Sequence, residues 1–232
     1  SLAPDHVDNL VWYGDIMSRI GNYEKAIEAL QTACQISPLR IDLVIQLAEL
    51  FVKANDHELA KIEIARAVSF DHVSSGDLRR AAHIAMVIDD IELAKTALEK
   101  AIDLSLEVSA ELYYELAIIY QKQGCLEKAL EAVQTAINNS PNQVDMYLVQ
   151  SDLQESLDRP QAAMASLERA LRITEGATTR ISLAEDGGKN DRPDWLRVDD
   201  SIFTIHKRFA LLLHRINDFN LAFYHAEKAL EQ

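Results

Sequence analysis

The chain has 232 residues, 48% hydrophobic and 26% charged, with only 7 glycines and 5 prolines, the balance of a folded protein built from helices and short turns. Its formal charge of −14 repels phosphate backbones and anionic lipid, which argues against nucleic acid and membrane surfaces as partners. No apolar run approaches the ~20 residues that span a bilayer, and Cys34 and Cys125 lie too far apart in sequence for a disulfide framework or metal knuckle.

Both cysteines are therefore expected as small buried residues that stay reduced, in a cytoplasmic setting. The start, Ser1-Leu2-Ala3-Pro4-Asp5, has no signal-peptide pattern and no initiator Met, as expected of a piece of a longer protein. Leu10, Tyr13, Gly14 and Met17 then form an apolar stripe at i, i+3, i+4, i+7, which predicts a helix over 8–20. Gly21-Asn22 breaks it. Ala26, Ile27, Leu30 and Ala33 predict a second helix over 24–36, closed by Ser37-Pro38, because proline cannot continue a helix and biases the residue before it away from helical geometry. The same reading predicts helices over 41–53 and 57–69, then 75–87 and 91–103. Tyr113, Leu116, Ala117 and Tyr120, Gly124, and then Ala129, Val133 and Ala136 before Ser140-Pro141 predict 110–122 and 126–138. Further pairs are predicted at 144–156 and 160–173, and at 199–215 and 219–231.

The pairs are copies of one unit. Ala26, Ala60, Ala94, Ala129, Ala163 and Ala222 recur with steps of 34, 34, 35, 34 and 59. The columns Ala33, Ala67, Ala101, Ala136, Ala170, Ala229 and Gly14, Ala48, Ala82, Ala117, Ser151, Ala210 keep the same steps. Small side chains at fixed positions let antiparallel helices approach closely, and larger ones would cost ~1–3 kcal/mol of strain. One pair cannot bury its apolar faces alone, so the pairs are expected to stack. With the turn residues Gly21, Asn55, Asp89, Gly124, Asp158 and Asn217, these columns resemble the tetratricopeptide repeat family. The resemblance implies an all-α, right-handed α-solenoid of six helix-turn-helix units. Five are consecutive, at about 5–38, 39–72, 73–107, 108–141 and 142–175, and the sixth spans 199–232. Between them, 176–198 reads as an irregular inserted loop with Asp186-Gly187-Gly188 and Trp195. At the end, Leu221, Phe223, Tyr224 and Leu230 are apolar residues in need of cover, expected from further repeats, another domain, or self-association with a second copy through the C-terminal helix.

Motifs for chemistry are missing from the sequence: neither GxGxxG nor GxxxxGK[ST], neither HExxH nor CxxC occurs. No cofactor, metal site or catalytic residue is expected. The family resemblance implies instead that the first helices line an inner groove that holds proteins or peptides. By register the partner-binding candidates are Trp12, Asp15, Asp42, Gln46, Glu49, Arg79, Arg80, His83, Glu111, Tyr114, Glu115, Asp152, Lys207 and Arg208. The acidic positions suggest a mixed-charge or basic partner, with Arg79 and Arg80 receiving its carboxylate or neutralising their own neighbours. One subfamily grips acidic C-termini with Lys, Asn, Asn, Lys and Arg; counted from the first unit, those positions hold Val11, Asp15, Gln46, Gly76 and Arg80, which cannot do so. The function expected is that of a non-catalytic scaffold or adaptor. The alternatives are a targeting domain of a larger multidomain enzyme and a self-assembling structural repeat.

Overall fold

The computed structural model describes residues 4–184 and 198–230. Among them are twelve α-helices and no strand: α1 (Pro4–Ile20), α2 (Tyr23–Ile36), α3 (Ile41–Lys53), α4 (His57–Ser69), α5 (Ser75–Val87), α6 (Ile91–Asp103), α7 (Ala110–Lys122), α8 (Leu126–Asn139), α9 (Val144–Ser156), α10 (Pro160–Ala184), α11 (Val198–Arg215) and α12 (Phe219–Leu230). The fold is an all-α helical-repeat solenoid. Two helices exceed their predicted bounds by more than one residue. α1 begins at Pro4, whose missing N–H costs nothing in a first turn. α10 runs on to Ala184, so 176–184 is helix rather than the start of the expected loop. Gly176 costs only ~1 kcal/mol inside a helix, and no proline follows to stop the chain there. The rest of the expected loop, Trp195 included, lies outside the described residues.

Each first helix ends in the same turn. Gly21, Asn55, Asp89, Gly124, Asp158 and Asn217 all have positive φ, between 56° and 85°. Only glycine and, at modest cost, Asn or Asp take that conformation routinely. It lets two N–H groups reach back to the last carbonyls of the helix, as in Gly21 N to Ser18 O at 3.0 Å and Asn22 N to Met17 O at 2.8 Å. Five further pairs, from Asn55–Val52 and Asp56–Phe51 to Asn217–His214 and Asp218–Leu213, repeat the pattern. The next residue then starts the second helix: Asn22, Asp56, Asp90 and Asp218 accept from the N–H groups of Lys25, Leu59, Leu93 and Leu221. Cys125 holds the equivalent place before α8 and makes no side-chain cap, because a thiol is a weak acceptor. It is exposed, which corrects the expectation that both cysteines are buried; Cys34 is buried, and burial pushes its thiol up.

The small columns are where the helices touch. Ala26, Ala60, Ala94, Ala129 and Ala163, and Ala33, Ala67, Ala101, Ala136 and Ala170, are fully buried. A Cβ added to Gly14 would stand 3.4 Å from the Ala26 carbonyl and from Leu30. In the third column Ala48, Ala82, Ala117 and Ser151 are buried, whereas Ala210 is half-buried. The chain divides into two compact units, Ser1–Ile119 and Tyr120–Gln232. In the first, α1 packs on α2, α2 on α3, α3 on α4 and α5, and α5 on α6, around Leu43, Ile45, Leu47, Ile64, Leu78 and Leu98. In the second, α8 to α12 pack in succession around Leu153, Leu167, Ile205, Leu212 and Leu213.

The second unit also carries polar groups inside. Gln150 donates its amide to Gln134 Oε1 at 2.8 Å, and Ser166 Oγ lies 3.0 Å from Gln150 Oε1 and 2.7 Å from Gln154 Oε1. Among the described residues no buried side-chain N or O atom lacks a partner. Near its end, His206 Nδ1 and His225 Nδ1 lie in hydrogen-bond contact at 2.8 Å, with His225 stacked on Phe209. On α12, Leu221, Phe223, Tyr224 and Leu230 are exposed.

Ala94→Leu or Ala129→Leu is expected to cost ~1–3 kcal/mol by overpacking, read as a lowered denaturant midpoint; unchanged midpoints at both sites would mean that the helices do not meet there. The histidine pair sets a pH dependence. Burial first, and His206 second, hold His225 below the ordinary histidine value. The unfolded chain therefore takes up this proton more readily than the folded one. Stability from the pair is full above the unfolded value of ~6.5 and falls as pH drops through it. The midpoint loss between neutral and mildly acidic pH should shrink in His225→Leu, and an equal loss in both proteins would exonerate the pair.

Candidate functional site

Two adjoining cavities lie on the first helices of the first unit. One, of ≈ 570 Å³, is bordered by α1 through Val11, Trp12 and Asp15, by α3 through Gln46, Glu49 and Lys53, and by Arg80 of α5. The other, of ≈ 650 Å³, is bordered by Glu49, Val52 and Lys53, by Arg79, Arg80, His83, Ile84 and Val87, and by Glu115 of α7. Glu49, Lys53 and Arg80 belong to both walls, so the cavities form one groove across α1, α3, α5 and α7. This placement follows from helical spacing. Gln46, Glu49 and Lys53 stand at i, i+3 and i+7 on one face of α3, while Arg79, Arg80, His83 and Val87 occupy the matching face of α5.

Charge across the groove is tied into pairs that join successive first helices. Arg80 donates to Glu49 at 2.9 Å, with Asp77 at 3.8 Å from its other nitrogen. Arg79 grips Glu115 at 2.7–2.8 Å, and that hydrogen bond raises the guanidinium above its ordinary value. At the groove's edge Arg40 bridges Asp8 at 2.9 Å and Asp42 at 2.7 Å. The Arg40 hydrogen bond holds the Asp42 carboxyl below the usual carboxylate range. Asp15 pairs with Arg19 one turn along α1, at 2.9 Å. These side chains remain partly exposed, so each pair contributes no more than ~1 kcal/mol; the arrangement sets where charge is available rather than how stable the fold is.

Trp12 is 67% exposed and forms one wall of the first cavity. Of the sequence candidates, Trp12, Asp15, Gln46, Glu49, Arg79, Arg80, His83 and Glu115 are thus brought together. Asp42 lies at the start of α3, committed to Arg40. Glu111 borders neither cavity; its own backbone N–H and the Ser109 hydroxyl lower its carboxyl. Tyr114 is half-buried on α7 and is not part of either wall. Asp152, Lys207 and Arg208 stand in the second unit. There Arg208 pairs with Asp152 and donates to the Leu148 carbonyl at 3.0 Å, while Lys207 lies 6.0 Å from the Phe203 ring centroid. Burial raises the Asp152 carboxyl, against the pull of Arg208.

Sequence reasoning missed Lys53 and Arg40. Lys53 was legible as the i+7 position of the Gln46 stripe. Arg40 was not, because it lies outside the stripes, and only packing brings it to Asp8, 32 residues away. A double-mutant cycle on Arg79→Gln and Glu115→Gln is expected to give a coupling of no more than ~1 kcal/mol in denaturant melts. A coupling well above that would make the pair a structural requirement of the first unit.

Family models described as Tetratricopeptide repeat match residues 7–38, 110–143 and 144–176. Among curated proteins, human protein O-mannosyl-transferase TMTC1 is 24% identical over 182 residues, covering 77% of this chain and 20% of its own length. The chain spans between 10% and 42% of the length of the curated relatives it matches. Among solved structures, the MamA protein superposes with a TM-score of 0.65 at 22% identity, covering 76% of this chain and 96% of that one. YrrB, a TPR protein with an unusual peptide-binding site, gives 0.58 at 14% identity, covering 76% and 90%. Helix pairs, small-residue columns, left-handed turns and matched segments agree: residues 7–38 and 110–176 match tetratricopeptide repeats, and the described helices form a solenoid of such pairs.

Proposed function

We propose that this chain is a non-catalytic protein-interaction scaffold whose first-unit groove holds a peptide or helical segment of a partner. The observation that carries the reading is the exposed indole of Trp12 in a cavity continuous with a second one. A folded chain leaves a large aromatic side chain beside a concavity at a cost, and such anchors dominate binding where a partner covers them. Gln46 and His83 add hydrogen-bonding groups along the groove, while Val52, Ile84 and Val87 offer apolar wall. The peptide-binding site for which YrrB is known gives a precedent on a similar fold.

A second reading, a repeat module within a larger multidomain enzyme, is supported by the likeness to a mannosyl-transferase of which this chain spans a fifth. The groove keeps the same role there, and catalysis resides elsewhere in the protein. The sequence of the full open reading frame separates the two readings.

A partner captured by this chain is expected to lose at least ~2 kcal/mol of affinity on Trp12→Ala, the magnitude of an aromatic anchor, with the helical far-UV spectrum intact. Full affinity in that variant, or protection from hydrogen exchange on α2, α4 and α6 rather than on α1, α3 and α5, would move the site off the groove.

A further inference from the structure

This inference rests on reading the groove as a peptide site and adds the chemistry of the ligand. Every carboxylate that borders the two cavities already has a cation: Asp8 has Arg40, Asp15 has Arg19, Glu49 has Arg80 and Glu115 has Arg79. Arg79 and Arg80 are engaged in those same pairs. Lys53 is different. It stands exposed in the last turn of α3, borders both cavities, and enters no ion pair among the described residues. The charge left for a ligand to meet in this groove is therefore positive, although the chain as a whole carries −14.

We infer that the groove selects a segment with one carboxylate side chain flanked by bulky apolar ones. The carboxylate sits at Lys53, one apolar side chain lies against Trp12, and another rests on Val52, Ile84 and Val87. A compact ammonium on a flexible stem suits a ligand carboxylate whose exact placement varies, whereas the paired arginines are fixed by their forks. A segment rich in acids is held off by the overall charge of the chain, so the complement is a single acid in an otherwise neutral or apolar stretch. The expectation of a mixed-charge or basic partner, with Arg79 and Arg80 receiving a carboxylate or neutralising their neighbours, counted the first-helix carboxylates without their counter-ions. With those carboxylates paired, an acidic group is the better complement.

A display library of random dodecapeptides, selected in parallel against the full chain and against Lys53→Glu, tests this. Lys53 is exposed, so the substitution leaves the helical spectrum unchanged. The expected result is enrichment of Asp or Glu beside Leu, Phe or Trp on the unaltered chain, and of Lys or Arg on the variant. A selected acidic peptide should bind the unaltered chain about tenfold more tightly than Lys53→Glu, with the difference shrinking as salt rises. Peptides whose binding needs Trp12 but whose charge preference is the same on both proteins would overturn the role of Lys53 and leave the groove standing. Failure to select any peptide that depends on Trp12 would overturn both.

Discussion

Close approach of antiparallel helices is the condition on which the rest of this structure depends. Helices of ordinary amphipathic composition keep their axes about 8–10 Å apart by the bulk of interdigitating side chains, and small residues at the contact let them come closer. Here Ala26, Ala33 and Gly14, with their counterparts in later pairs, remove that bulk at three places per pair. Backbone then lies near backbone, and residues such as Leu30 and Leu98 are buried by the neighbouring helix rather than by a distant layer. The same tolerance explains why identity to other solenoids is low while the fold is shared. A small residue at a few positions and an apolar one at several others suffice, and many sequences meet that demand.

The turns depend on this packing and also support it. Within each pair the chain reverses within two residues, and the left-handed residue at the turn achieves that while satisfying the last carbonyls. Aspartate or asparagine next in line then starts the second helix with its own side chain. Where Cys125 replaces that residue the turn is retained, since the reversal rests on Gly124 and the cap only adds to it. Repeat geometry is thus set by backbone conformation, and side chains on the outer faces are free to vary.

That freedom is what makes a groove possible. First helices one unit apart present parallel rows of side chains, and oppositely charged members of adjacent rows meet, Arg80 with Glu49 and Arg79 with Glu115, while Arg40 reaches Asp8 from just before α3. Such exposed pairs stabilise little. Their effect is to commit that charge within the chain, so that Trp12 and Lys53, exposed on the groove, stand beside pairs that have already met. Charge counted over a surface and charge available to a ligand are different quantities, and the second depends on which neighbours have already met.

The sequence by itself determined the helices, their pairing and their register. Those features are local: a stripe at i, i+3, i+4, i+7, a glycine or Asn/Asp at a reversal, a proline at a unit end, an alanine every 34 residues. The inner face of Trp12, Gln46, Glu49, Arg79, Arg80 and His83 was expected from the family resemblance, carried over by register, and these residues border the two cavities. Where the tenth helix would stop was not legible, because Gly176 weakens a helix without ending it. The exposure of Cys125 was overlooked although the register carried it: Cys34 follows the buried Ala33 column inside α2, whereas Cys125 stands at the cap position after Gly124. Only the tertiary structure decided the partners of the charges. Arg40 and Asp8 are 32 residues apart, and Arg79 and Glu115 are 36 apart. No pattern along the chain joins them; stacking of successive helix pairs does, and among the described residues it leaves Lys53 bordering both cavities outside any ion pair.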